Sequence, residues 1–255
     1  MSGHSHAKTI AHAKGIADAK RGAIFSKFGR LIAIAAKDGG DPTINSKLRV
    51  VLEQAKSFNM PKENIERAVK KGTGELAGEK LEEVSYEAFG PGGIALIING
   101  ITDNTNRALG EVKAVLNQSG GKMAGEGAVR WMFEKRGAIT INSKLQITNY
   151  KNDELEMAAI EAGADDVKWY GEQLEVYTKP EDLEMVKKTL EEKFRLMNRE
   201  SSTESGQIKI ESASIDLIAK EEVELSEKDK AATEKLFEAL DELDTVNDIY
   251  SNMKS

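Results

Sequence analysis

The side chains best suited to bind a ligand are the lysines and arginines near the N-terminus. The first 71 residues contain 14 Lys and Arg against 6 Asp and Glu. Because the whole chain carries a formal charge of −7, this segment contributes +8 and the remaining 184 residues carry −15. A cationic end joined to an acidic body is typical of a protein that binds a polyanion at one end.

The first predicted helix separates its charges from its apolar residues. It spans residues 16–37 and ends at the glycines and proline of residues 38–42, which are typical helix stop signals. At about 100° per residue, Lys27, Arg30 and Lys37 lie opposite the apolar arc. Asp18 is the one acidic residue among seven basic ones through residue 37, and this imbalance favours nucleic-acid binding over the alternative of a simple solvated face.

A third predicted helix begins near Pro61, after a second over residues 45–58, and ends at Gly72. Arg67, Lys70 and Lys71 share its polar face at i, i+3, i+4 spacing. Nothing in the sequence resembles a zinc finger or a basic zipper. These side chains are therefore expected to contact backbone phosphates rather than base edges.

Ten cationic residues form the predicted nucleic-acid site. Arg21 is the member that points towards the apolar arc of its helix, and residues before position 20 are expected to assist. If about five phosphates are neutralised, log K falls against log salt with a slope of about −4.5 on duplex DNA. The ten residues are Lys8, Lys14, Lys20, Arg21, Lys27, Arg30, Lys37, Arg67, Lys70 and Lys71.

A second candidate contact is the polar cluster Asn104, Asn106 and Arg107. A helix N-terminus with a nearby arginine can bind a phosphate. The alternative is that the cluster only caps a helix that begins there.

Other chemistries find little support in the sequence. There is no cysteine, and all three histidines lie in the first 12 residues, so no His-based general base is expected in the acidic body. The segment Gly120–Met123 lacks the upstream glycine and the Ser or Thr of a phosphate-binding loop. We expect a non-enzymatic protein without cofactor or metal. Since no signal peptide and no membrane-spanning apolar run is evident, we also expect it in the cytoplasm.

The fold class predicted is a multidomain α and α+β protein. Residues 1–78 are expected to form an all-helical domain, 79–136 plus 207–255 an α+β domain, and 137–206 a second, inserted α+β domain. The α+β domains are expected to be ferredoxin-like. Three consecutive domains are the alternative.

Several elements beyond the helical domain follow from local patterns. Strands are predicted at Ile94–Ile101, Val129–Phe133, Ala138–Ile141 and Leu145–Thr148, and a polar connection at Arg199–Gly206. A strand–helix–strand segment at the C-terminus is expected to complete the first α+β domain.

Several short blocks of this sequence resemble those of the YebC/PmpR family. The resemblance is dense over residues 1–140 and looser beyond. The blocks that carry it are Met1-Ser-Gly-His-Ser, Ala19-Lys20-Arg21-Gly22, Gly39-Gly40-Asp41-Pro42, Asn59-Met60-Pro61-Lys62-Glu63-Asn64-Ile65-Glu66-Arg67-Ala68, Gly90-Pro91-Gly92-Gly93 and Thr102-Asp103-Asn104.

This resemblance implies a cytoplasmic, non-enzymatic regulator with a helical domain followed by two α+β domains. Bacterial members are described as DNA-binding transcriptional regulators, which is the leading functional hypothesis. The alternative is a ribosome-associated translation factor that contacts ribosomal RNA, since a mitochondrial relative is a translational activator. On either hypothesis the acidic α+β domains are expected to contact protein, from the transcription machinery or the ribosome, and the molecule is expected to be a monomer.

The N-terminus departs from the family pattern. His6-Ala7 stand where the family commonly has Lys-Trp, and Ala11 and Ala13 replace basic residues. Residues 20–71 should therefore contribute more of the binding than residues 1–14.

Overall fold

A computed structural model describes residues 18–78, 80–142, 152–197 and 208–254. These residues form two compact units. One runs from Phe133 to Lys220, and the other joins the residues up to Met132 to Glu221–Lys254. No helix in the described ranges is long and apolar enough to cross a membrane.

The described residues contain α-helices and β-strands that alternate after an all-helical start. The helices are α1 (Asp18–Ala36), α2 (Ser46–Ser57), α3 (Lys62–Gly72), α4 (Thr105–Gln118), α5 (Asn152–Glu161), α6 (Leu183–Met197) and α7 (Glu227–Asp241). The strands are β1 (Glu82–Phe89), β2 (Ala95–Thr102), β3 (Lys122–Met123), β4 (Phe133–Asn142), β5 (Asp166–Tyr170), β6 (Gln173–Thr178), β7 (Lys209–Ala219) and β8 (Val246–Ser251).

The helical start packs α1, α2 and α3 around one small core. Asn45 caps α2, since its side chain accepts a hydrogen bond of 3.0 Å from the amide of Leu48. Asn59 adopts a positive φ of 57° in the turn before α3. The apolar arcs predicted from the sequence meet in this core, whose fully buried members include Ile32, Ala36, Leu48 and Ala55.

The first sheet has the strand order β3-β1-β2-β8, and all its neighbours are antiparallel. The central strand β2 is buried along nearly its whole length, which suits its run of apolar residues. Helices α4 and α7 supply Val112, Leu116, Leu236 and Leu240 to the core that β2 and β8 line.

The unit of residues 133–220 follows the order β4, α5, β5, β6, α6, β7. Its antiparallel sheet has the strand order β5-β6-β4-β7. Helices α5 and α6 bury Leu155, Val186 and Leu190 in the same cluster as Ile139 and Val176 of the sheet. The helical and α+β layout expected from the sequence is therefore observed.

The prediction of a strand at Val129–Phe133 is wrong. Residues Arg130–Met132 form a short 3-10 turn, and β4 begins only at Phe133. The cause is the buried carboxylate of Glu87, which accepts hydrogen bonds from the amides of Gly127, Val129 and Arg130 at 2.7, 2.7 and 3.0 Å. Amides bound in this way are not available to a β-ladder.

The C-terminal contribution to the first sheet also differs from the expectation. Strand β7 pairs with β4, so only α7 and β8 join the first sheet, rather than a strand–helix–strand segment. The predicted strand Leu145–Thr148 and the connection Arg199–Gly206 lie outside the described residues. The predicted domain boundaries stay a prediction.

Candidate nucleic-acid interface

A cleft of about 510 Å³ lies between α1, α3 and the segment that leads into β1. Five cationic side chains line it, and no acidic residue is among the described lining residues. The five come from three separate parts of the chain, and they are Arg30, Lys37, Arg67, Lys71 and Lys80. Cations that converge on one cleft favour binding of an anion.

Small residues on α1 create this cleft. Gly22, Ser26, Gly29 and Ala33 line it at helical spacing. Among the described residues, a Cβ added at Gly22 or Gly29 would meet no atom within 4 Å beyond the local backbone, so none of them covers this side of α1.

The two helices touch at the other end of this row of small residues. A Cβ at Gly72 of α3 would clash with the carbonyl oxygen of Ala33 and lie 2.7 Å from the Cβ of Ala36. The helices therefore pack tightly there and leave the cleft open beside Gly22 and Gly29.

The predicted binding residues Lys27, Arg30 and Lys37 donate hydrogen bonds to distant segments of the protein. The ammonium of Lys27 lies 2.8 Å from a carboxylate oxygen of Asp241 and 2.5 Å from that residue's carbonyl oxygen. Arg30 donates to the carbonyl oxygen of Asp244 and lies 3.6 Å from its carboxylate. Lys37 donates to the carbonyl oxygen of Leu81 at 2.6 Å. These contacts tie α1 to the C-terminal end of α7 and to the start of β1.

The predicted binding residues of α3 lie on the surface of the protein. Arg67, Lys70 and Lys71 are exposed. One guanidinium nitrogen of Arg67 donates to Asn64 at 3.1 Å, which orients the group beside the cleft. Within the described parts of the chain, Lys70 and Lys71 form no salt bridge. Both lie in the last turn of α3, where cations interact favourably with the helix dipole.

The remaining predicted cations are less well described. Arg21 is exposed on α1 and has an interaction of its own within the protein. Lys20 belongs to α1, but its side chain lies outside the description, and Lys8 and Lys14 lie outside the described residues altogether.

The second candidate contact is a helix cap. The side chain of Asn104 accepts a hydrogen bond of 3.0 Å from the amide of Arg107, and it thereby caps α4. The guanidinium of Arg107 lies 2.5 Å from Asp103 and 3.9 Å from Glu111. Asn106 is exposed. Two flanking carboxylates weaken the attraction of this arginine for a phosphate. The main role of the cluster in the structure is therefore to cap α4.

The sequence patterns missed Lys80, Asp241 and Asp244. Lys80 lies in a segment whose other charged residues are acidic, and it pairs with Glu82 at 3.0 Å. Asp241 is the last residue of the acidic helix α7, and Asp244 follows it by three residues. No local sequence pattern indicates that these aspartates contact α1, since Lys27 and Asp241 are 214 residues apart in the sequence.

The described residues hold no group of three or more His, Cys, Asp or Glu that could bind a metal ion. The buried carboxylate of Glu87 has a different role. Burial disfavours its charge, but three backbone amides and the nearby Arg130 together outweigh burial and hold its pKa below the ordinary value. This carboxylate fixes the loop that precedes β4.

Comparisons with known proteins cover nearly the whole chain. Residues 5–75 match the TACO1/YebC protein N-terminal domain, and residues 81–253 match the TACO1/YebC second and third domain. A protein of Trichlorobacter lovleyi named "Probable transcriptional regulatory protein" is 43% identical over 253 residues, which cover 99% of this chain and 95% of that protein. A protein of Thermoanaerobacter pseudethanolicus with the same kind of name is 42% identical over 255 residues, which cover 100% of this chain and 97% of that protein.

A solved structure agrees with these matches. The crystal structure of a conserved hypothetical protein from Aquifex aeolicus is similar with a TM-score of 0.81 at 40% identity, and the match covers 96% of this chain and 95% of that one. The chain belongs to the TACO1/YebC family, whose curated members named above are called probable transcriptional regulatory proteins.

Proposed function

We propose that this protein regulates transcription by binding DNA through its N-terminal helical domain. The observation that carries the proposal is the cation-lined cleft between α1 and α3, whose described lining contains no acidic residue. The names of the relatives point the same way, since they describe probable transcriptional regulators.

Arg67, Lys70 and Lys71 are the residues that we expect to contribute most of the affinity. They are exposed on one end of α3, whereas Lys27, Arg30 and Lys37 are already hydrogen-bonded to protein acceptors. Each of these three cations can neutralise one phosphate and release its counterion. Such contacts fix position on the strand and carry little sequence information.

A second candidate target is ribosomal RNA. The observation that favours it is the concave shape of the site, because protein recognition of RNA commonly targets loops and bulges whose bases are splayed out. On this alternative the protein is a translation factor, and the same cations contact the RNA backbone.

The test is a charge reversal with a matched control. K70E/K71E should weaken binding to a labelled DNA duplex at least tenfold at low salt, because it removes two favourable charges and adds two repulsive ones. K228E/K235E makes the same change in net charge at two exposed positions of α7 and should leave binding within about twofold.

The co-sedimentation of K70E/K71E and of the wild type with ribosomes should also be compared in a gradient. If the wild type binds no duplex at low salt but co-sediments with ribosomes, the RNA alternative replaces the DNA proposal. If K70E/K71E binds DNA as the wild type does, the binding surface has been assigned to the wrong residues.

The remaining parts of the proposal concern the rest of the molecule. We infer that the protein acts without catalysis, in the cytoplasm and as a monomer, and that its acidic α+β parts contact protein partners. The order β5-β6-β4-β7 supports a ferredoxin-like description of the unit of residues 133–220.

A further inference from the structure

We propose that the cleft between α1 and α3 takes an unpaired nucleotide of a DNA or RNA strand, rather than the face of a duplex. This inference rests on the proposed function and names the form of nucleic acid that the site selects. Its basis is the shape of the cleft, the chemistry of its walls and the open space along α1.

The shape of the cleft suits a strand that can enter it. A volume of about 510 Å³ lies within the range of about 300–1,000 Å³ typical of sites that enclose one small molecule. A duplex is read instead by an element that protrudes into one of its grooves. A recess between two helices cannot protrude in this way, but it can receive a nucleotide that is not held in a base pair.

The walls of the cleft combine two kinds of surface. Arg67, Lys71 and Lys80 supply positive charge, while Phe25 and Met60 supply apolar area. A nucleotide has the same two parts, since its phosphate is anionic and its base is a flat π-system. Aromatic side chains and arginine planes stack on unpaired bases with little preference for sequence. The pairing of charge and apolar area therefore fits a nucleotide better than a free inorganic anion.

The open side of α1 allows a nucleotide to approach the helix backbone closely. In the part of the chain that the structure describes, no atom lies within 4 Å of a Cβ position at Gly22 or Gly29 beyond the local backbone. A larger side chain at either position would therefore fill the cleft without displacing any residue of the core or removing any cation. The same feature gives a sharp test.

Gly29→Met is the test variant, and Gly110→Met is its control. Both glycines lie within helices of the same unit, and neither has an atom of a described residue within 4 Å of its Cβ position beyond the local backbone. Methionine is a better helix former than glycine, so both variants are expected to fold. Circular dichroism and thermal melting check this directly.

Binding is measured by fluorescence anisotropy with labelled 12-nucleotide single strands of dT and U and with a 12-base-pair DNA duplex. Gly29→Met should weaken binding of the single strands about tenfold, as expected when one stacked base is lost, and should weaken duplex binding by a smaller factor, because the cations of the cleft stay in place. Gly110→Met should change neither. The comparison of dT with U shows whether DNA or RNA is preferred.

Two outcomes overturn this inference while leaving the proposed function intact. One is an unchanged single-strand affinity in Gly29→Met, and the other is an equal loss of single-strand and duplex affinity. If the wild type binds neither single strand nor duplex at low salt, the proposed function fails together with this inference.

Discussion

Replacing Lys27 with methionine should destabilise the protein without weakening its binding to nucleic acid. Lys27 lies on the face that the sequence assigns to phosphate binding, yet its ammonium bonds to the carboxylate of Asp241 at 2.8 Å and to that residue's carbonyl at 2.5 Å. The two side chains are only 13% and 20% exposed. The pair is therefore poorly screened by solvent.

The magnitude follows from these contacts. A hydrogen bond to a charged group contributes about 1.5–3 kcal/mol, and the variant also leaves Asp241 half-buried without its cation. Methionine keeps most of the apolar stem, so packing changes little. We expect the free energy of unfolding to fall by about 2–3 kcal/mol. The pair of Arg30 with Asp244 should contribute less than about 1 kcal/mol, because the Asp244 side chain is 61% exposed.

The assay is urea unfolding followed by circular dichroism, with the slope against urea compared between variants. Lys235→Met on the exposed side of α7 is the control and should change stability by less than about 0.5 kcal/mol. The double variant K27M/D241N should cost less than the sum of its single changes, because the two groups interact directly. Unchanged stability in Lys27→Met together with a tenfold loss of nucleic-acid affinity would refute this assignment.

Three further changes test individual contacts of the fold. Gly72→Ala should destabilise the helical domain by about 1–3 kcal/mol, because the new methyl group clashes with the carbonyl of Ala33, and thermal unfolding measures the loss. Glu87→Gln should lower the free energy of unfolding by about 1–3 kcal/mol at pH 7. Since the folded pKa of Glu87 lies below its ordinary value of 4.5, this difference should be full above about pH 4.5 and shrink as the pH falls through the folded pKa, and a pH series of urea melts that shows no such change would contradict it. Asn104→Ala should cost about 1 kcal/mol through loss of the α4 cap, whereas Asn106→Ala should cost less than about 0.5 kcal/mol in the same urea assay.

The sequence predicts the helical domain well because its signals are local. The apolar spacing in α1, the Asn45 cap of α2 and the stop at Gly72 each act within one or two helical turns. The strand predicted at Val129–Phe133 fails for the opposite reason. The carboxylate that diverts its amides belongs to Glu87, some 40 residues earlier in the chain.

The candidate site shows the same division. Helical periodicity correctly separates the cations of α3 from its buried residues Ile65 and Ala68. It cannot show that Asp241 reaches Lys27, because the partner belongs to a distant segment whose own pattern is that of a solvated acidic helix. Nor can it show the open cleft beside Gly29, which depends on how α1 and α3 pack.

The salt dependence of binding tests the central claim most directly. The affinity for duplex DNA should be measured between 50 and 200 mM salt for the wild type and for the variant R67Q/K70Q/K71Q. If these three residues neutralise one phosphate each, the slope of log K against log salt should become shallower by about 2.7 in the variant. An identical slope in the two proteins would contradict the claim that the exposed end of α3 binds nucleic acid.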